Sequence, residues 1–175
     1  MIKIASYKYW IICGLSFAFG VVYCSTTNDC EEALIGINIS VDPAKDPAEE
    51  LYMDGRKQLI FDAYDTAILL FHEYLENYPD HKYAPSAQYW LGVSFLSKGD
   101  FIKAKTTFQD FQGAHPTHYE FDDSLYDLAQ THIALGEVSE AILLLYDLLN
   151  VCGHNNFICP KAKKSLSILE APDEL

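Results

Sequence analysis

Apolar and small residues alternate with polar ones along this chain at helical spacing, and small residues fall where a helix would ordinarily favour large ones. In YWLGVSFLSKGDFIKAKTTF, residues 89 to 108, Leu91-Gly92, Gly99-Asp100-Phe101, Ala104 and Phe108 sit where two helices joined by a short turn would place them. Glycine inside a helix costs about 1 kcal/mol relative to alanine, so a helix that keeps Gly92 gains something from the absent side chain. Close approach of a second helix is that gain.

The same pattern returns at a step of 37 residues, which turns one window into an internal repeat read three times. Ala67, Ala104 and Ala141 align, as do Phe71, Phe108 and Leu145, and Gly55, Gly92 and Ala129. Asp54, Leu91 and Leu128 correspond, then Tyr64, Phe101 and Val138, and the turns Asp62-Ala63, Gly99-Asp100 and Gly136-Glu137; Pro79 matches Pro116. Two helical patterns per unit at a period in the thirties predict a helix-turn-helix solenoid. The first helices are expected at about 47–60, 84–98 and 122–135, and the second at about 64–77, 101–113 and 138–151. In each unit the Gly/Ala positions let the two helices approach while Phe71, Phe108 or Leu145 fills the space beside them. A final segment, PKAKKSLSILE at 160–170, reads as a capping helix whose Lys161, Lys163 and Lys164 give it a polar outer face.

In the middle unit, Leu91, Gly92, Phe95, Gly99, Phe101, Ala104, Phe108 and Pro116 carry the spacing of the tetratricopeptide repeat (TPR), which this pattern resembles. The first unit keeps Gly55, Tyr64, Ala67, Phe71 and Pro79; the third keeps Leu128, Ala129, Gly136 and Ala141 but has Gly153 in place of the closing proline. The expected fold is an all-α, right-handed TPR solenoid of three helix pairs plus a C-terminal capping helix. The period of 37 exceeds the usual length of about 34, and the extra residues fall between units, in YPDHKYAPSAQYWLG (78–92) and AHPTHYEFDDSLYDLA (114–129). That phrasing resembles the C-terminal domain of the Tol-Pal system proteins YbgF/CpoB and, less closely, the outer-membrane assembly lipoprotein BamD. The resemblance spans about residues 47 to 170.

Charge narrows the partner. Twelve basic against 25 acidic residues give a net charge of −13, with no basic stripe to meet phosphates, so nucleic acid is excluded and a basic or apolar protein segment favoured. The first residues differ: Lys3 and Lys8 precede an apolar run, YWIICGLSFAFGVVYC, at 9–24 that is short for a bilayer span of about 20 residues. Residues 1–24 therefore read as a signal peptide, or as a short N-terminal anchor; 25–46 as a linker; 47–170 as the repeat domain; 171–175 as a tail. Asp46 is placed to N-cap the first helix, with Pro47 in its first turn. Cys24 offers a lipidation site, but Tyr23 before it is bulkier than a lipoprotein signal takes, and ordinary cleavage is the competing reading. The linker shows neither heptads nor a long helical period, so the Gln-rich coiled coil of Tol-Pal relatives, and trimerisation through it, are not expected.

Candidate chemistry is sparse. Of the five cysteines, Cys152 and Cys159 bracket GHNNFI and could bridge that loop in an oxidising compartment, or stand as two reduced thiols. The six histidines lack zinc-site spacing, and neither a Gly-rich phosphate loop nor a GxSxG elbow occurs, so no catalytic residue, cofactor or metal site is expected. What remains is a surface. Tyr52, Tyr89 and Tyr126 recur 37 apart on the first helices, followed one turn along by Arg56, Val93 and Gln130 and then by Leu59, Leu96 and Ile133. In TPR solenoids this side lines a concave groove, where tyrosine supplies contact area with a polar tip; the alternative is that the tyrosines pack between successive first helices. Trp90 is expected in the core.

The Tol-Pal resemblance implies an exported, non-enzymatic envelope adaptor in the periplasm of a Gram-negative bacterium. It would bind a partner such as TolA and couple outer-membrane constriction or peptidoglycan synthesis to cell division. The rivals are a BamD-like lipoprotein scaffold attached through Cys24, a type III secretion chaperone if the chain is not exported, and an envelope enzyme.

Overall fold

A computed structural model describes residues 46–151 and 157–171 as seven helices. They are α1 (Pro47–Ile60), α2 (Tyr64–Asn77), α3 (Ala84–Lys98), α4 (Phe101–Ala114), α5 (Phe121–Ala134), α6 (Val138–Val151) and α7 (Ile158–Leu169). The pairs α1/α2, α3/α4 and α5/α6 are the three repeats, and α7 closes the third. The expected signal peptide or anchor (1–24) with Cys24, the expected linker up to residue 45, the tail from residue 172, and Cys152 lie outside the described residues.

Local chemistry starts and stops these helices. The Asp46 carboxylate accepts the Ala48 N–H at 3.0 Å, Pro47 occupies the first turn, and Glu49 and Glu50 place negative charge at the positive end of the α1 dipole. Each turn inside a repeat carries one left-handed residue: Asp62 (φ 56°), Gly99 (φ 87°) and Gly136 (φ 77°), spaced like the sequence repeat. The following N–H then reaches back to a carbonyl of the preceding helix, Ala63 to Gln58, Asp100 to Phe95 and Glu137 to His132, each at 2.9 Å. These are Schellman closures, which satisfy carbonyls the helix end would leave orphaned. Asp62 adopts the conformation without being glycine, and its carboxylate accepts a bond from the Tyr64 hydroxyl at 2.7 Å.

The residues added to the usual repeat length form two successive turns between units. Tyr78, His81 and Ala84 N–H groups bond to the carbonyls of Tyr74, Tyr78 and His81, and His115, His118 and Phe121 repeat this with Phe111, His115 and His118. The links are thus packed parts of the fold. Tyr83 from the first stacks on Tyr52 (centroids 4.8 Å, planes 19° apart), and His118 from the second meets Phe111 edge-on at 5.7 Å.

The core follows the repeat register. Ala67, Ala104 and Ala141 are sealed from solvent, as are the large residues Phe71 and Tyr74, Phe108 and Phe111, and Leu145 and Leu148 that the second helices supply. A β-carbon on Gly92 would lie 2.7 Å from the Phe108 ring, and one on Gly55 2.9 Å from Phe71. The third repeat reaches the same fit with a larger small residue and a smaller large one, Ala129 and Leu145. Beyond it, α7 contributes Ile158, Ala162 and Leu166 to the cluster around Leu145 and Leu148.

This pairing can be tested by exchange. Alanine for Gly92 gains about 1 kcal/mol in helix propensity, so any net loss reports the clash with an immobile ring. Gly92→Ala is expected to lower unfolding stability by about 1–3 kcal/mol in urea titration. The Gly92→Ala/Phe108→Leu double variant, which copies the third repeat, should be more stable than the sum of its single changes by over about 0.5 kcal/mol.

Candidate functional site: the concave face and its acidic seam

Packing between repeats shows which face is concave. Helix α1 touches α3, α3 touches α5 and α5 touches α7, whereas among the described residues α2, α4 and α6 do not touch one another. The stack is therefore shorter on the side of the first helices and curves toward them.

The structure corrects the expected tyrosine groove. Tyr52 and Tyr89 are only 4% and 6% exposed, so they belong to the core. Tyr52 is enclosed by Phe71, Tyr74 and Tyr83, and Tyr89 by Trp90, Phe108 and Phe111. The reason is the long link, which folds back and closes the seam between successive first helices over this register position. Tyr126 is half-buried, its hydroxyl 3.4 Å from Ser165 Oγ on α7.

The residues that do reach the open side are one and four positions further along. Met53 is half exposed, and Arg56, Val93 and Gln130 are partly buried. The Arg56 guanidinium lies 3.6 Å from the centroid of the Trp90 ring and donates to the Tyr52 hydroxyl at 3.3 Å. Such a stack supplies roughly 0.5–2 kcal/mol and makes a flat, partly apolar contact area at the centre of the groove. Trp90 packs against the core, as expected, but is only partly buried and carries Arg56 on its outer face. Gln130 donates to Ser165 at 3.3 Å, tying α7 to the same face.

A feature of the second seam was missed in the sequence. Where the first seam has Tyr83 and Trp90, the second has Glu120 and Asp127. Asp127 accepts the Tyr89 hydroxyl at 2.8 Å, and burial pushes its carboxyl up to about 6 despite that bond, with Asp123 adding to the rise. Burial first, and then the Asp127 charge, hold the Tyr89 phenol far above its ordinary range. Glu120 is 5% exposed, and burial raises its carboxyl while hydrogen-bonding neighbours Ser86, Tyr119 and Trp90 pull it back down. His118 Nδ1 lies 3.6 Å from Glu120, and burial lowers the imidazole's proton affinity. The available sequence signal was a carboxylate in the third repeat at each of two positions that are aromatic in the second.

Ion pairs beside the turns and links tie the repeats to one another. Lys105 reaches Glu137 at 2.8 Å and His132 Nδ1 lies 2.6 Å from the same carboxylate, joining the second and third repeats. Lys98 pairs with Asp65, and His81 with Asp46 at 3.1 Å, joining the first and second. No group of three His, Cys, Asp or Glu among the described residues is arranged to hold a metal ion. Cys159 is disulfide-bonded.

Two outcomes separate core from groove. Tyr89→Ala should cost about 3–5 kcal/mol of stability, seen as a lower melting temperature. Asp127 titrates near 6 when folded and near 3.9 when unfolded, so its contribution is fully present below pH 4 and is lost as pH rises through 6. Asp127→Asn should therefore raise stability at pH 7 by about 1–3 kcal/mol and leave it unchanged at pH 3.5, measured as the difference between denaturation curves.

The family described as YfiO, outer membrane lipoprotein, matches residues 44–143. Two cell division coordinator CpoB sequences, one from Pseudomonas putida strain KT2440 and one from Pseudomonas putida, are each 47% identical over 60 residues. That stretch is 34% of this chain and 21% of each relative, so the match spans about a fifth of their length. Among solved structures, the Yersinia enterocolitica type III secretion translocator chaperone SycD superposes with a TM-score of 0.63 at 18% identity over 75% of this chain and 98% of its own. The first TPR domain of human RPAP3 gives 0.58 at 19% identity over 70% and 88%. At such identities these two establish fold alone, an all-α TPR solenoid. None of the matching names describes an enzyme. With the family match covering more than half of the chain, this TPR protein, similar in part to CpoB, belongs to the YfiO outer membrane lipoprotein family.

Proposed function

We propose that this chain is a non-enzymatic adaptor of the bacterial envelope that holds a protein segment in its concave groove and acts, like CpoB, in coordinating cell division. The observation that carries this is the partial CpoB identity, joined to a groove whose centre is the Arg56–Trp90 stack with Val93 and Gln130 beside it. A planar cation over an indole, flanked by an aliphatic side chain and an amide, suits a peptide that brings both apolar and hydrogen-bonding groups. The partner is a Tol-Pal component, TolA or a neighbour of it. Residues 1–24 direct export to the periplasm.

Purified TolA from the same cells, titrated against the mature chain, tests the reading. Arg56→Ala/Val93→Asp should weaken binding at least tenfold, about 1.4 kcal/mol or more, with helix content retained. Unaltered affinity in that variant would remove the groove from the interface.

A second reading is favoured by the family description: attachment to the outer membrane through lipid on Cys24, with a scaffolding role in outer-membrane protein assembly. Intact mass of the cell-derived protein distinguishes the two. A diacylated N-terminal Cys24 supports the lipoprotein; an unmodified N-terminus at or after residue 21 supports a released periplasmic adaptor.

A further inference from the structure

We infer that the outer face of α7 is a contact surface for an anionic phospholipid bilayer, on which Phe157 and Ile168 enter the headgroup layer while Lys161, Lys163 and Lys164 meet lipid phosphates. This surface is separate from the concave groove and does not depend on what the groove holds.

Helix α7 packs on α6 and α5 through Ile158, Ala162 and Leu166, which fixes the side of the helix that is closed. At about 3.6 residues per turn, Phe157, Lys161, Lys164 and Ile168, spaced i, i+4, i+7 and i+11, fall in one line on the opposite side. All four are exposed, Phe157 at 91% and Ile168 at 63%, and Lys163 is exposed beside them. The line reads apolar, cation, cation, apolar along about 16 Å of helix. A solubilising cap needs only polar residues there and leaves Phe157 and Ile168 without a reason. A helix lying on a membrane needs both kinds, apolar side chains that enter the acyl boundary and lysines whose ammonium groups extend to the phosphates.

The cations of α7 are also the ones left open. Lys82, Lys98, Lys103 and Lys105 pair with Glu49, Asp65, Asp100 and Glu137, and Arg56 is stacked on Trp90. Lys161, Lys163 and Lys164 form no ion pair among the described residues. Asp123 and Asp127 of α5 feel Lys161 only through its field, and Glu170, the acid at the end of α7, is engaged by the Tyr146 hydroxyl at 2.7 Å. With a net charge of −13 the molecule as a whole is repelled by an anionic surface, so three cations within four positions decide which side approaches it. A straight, outward-facing row with large apolar groups at both ends fits a plane of phosphates above an apolar layer. An acidic peptide offers the charge without that layer.

The test is co-sedimentation of the unacylated mature chain with vesicles of equimolar phosphatidylglycerol and phosphatidylcholine, and with vesicles of phosphatidylcholine alone. Binding should be at least about tenfold stronger to the anionic vesicles, and should fall as sodium chloride rises from about 0.05 to about 0.5 M. Lys161→Gln/Lys163→Gln/Lys164→Gln should weaken it at least about tenfold, and Phe157→Ser/Ile168→Ser at least about threefold. Both variants should keep the parent melting temperature, because every side chain changed is exposed. Equal binding to the two kinds of vesicle, or undiminished binding by either variant, would overturn the inference. Saturable, lysine-dependent binding of an oligoglutamate peptide by a chain that ignores both vesicles would overturn it too, and would give this face to an acidic protein. Vesicle binding lost in Arg56→Ala/Val93→Asp but kept in the lysine variant would move the contact to the groove. Anionic-vesicle binding that depends on the lysines, in a chain with no affinity for TolA, supports the membrane face and removes only the partner proposed for the groove.

Discussion

The contact between a missing or minimal side chain on each first helix and a large one on the second sets the geometry of the whole solenoid. Gly55 against Phe71 and Gly92 against Phe108 bring two helix backbones close enough that a single β-carbon would meet the ring below 3 Å. Ala67, Ala104 and Ala141 do the same from the facing helix. Because interiors are packed to near-crystalline density, this one pair of sizes fixes the interhelical distance in each repeat, and therefore the rise from each repeat to the next. The third repeat exchanges glycine for alanine and phenylalanine for leucine, keeping the combined volume similar while changing both members.

Once the pairs are formed, the long links decide what the seams between them contain. Two extra turns bring Tyr83 down onto Tyr52 in the first seam and Glu120 beside Trp90 and Ser86 in the second. The first seam is a dry aromatic stack. The second holds two carboxylates in a place where water is scarce and no lysine or arginine is within ion-pair reach. A network of that kind is poor for stability.

Charge also ties neighbouring repeats. Lys98–Asp65 and Lys105–Glu137 pair across successive repeats beside the turns that join the two helices of a unit, and hold neighbouring units in register. Along the first helices, Arg56 is immobilised on the Trp90 indole and Asp127 accepts the Tyr89 hydroxyl. A net charge of −13 favours the approach of basic segments.

The sequence by itself determined the repeat, its period, the seven helices to within about two residues, and the small-to-large pairs, because helix periodicity, capping and close approach are local or strictly periodic and leave their mark at fixed spacings. It also placed the turns at Gly99-Asp100 and Gly136-Glu137, and by alignment Asp62-Ala63, though their left-handed backbone came from the structure. Only the tertiary structure decided that Tyr52 and Tyr89 are core, that Trp90 lies under Arg56 at the groove, and that Glu120 is buried and Asp127 half-buried. Those outcomes depend on where a link from the next repeat folds back, some 31 residues along the chain from Tyr52 to Tyr83 and again from Tyr89 to Glu120. A side chain's exposure is set by what covers it, and what covers these comes from a neighbouring repeat whose path the local pattern does not encode.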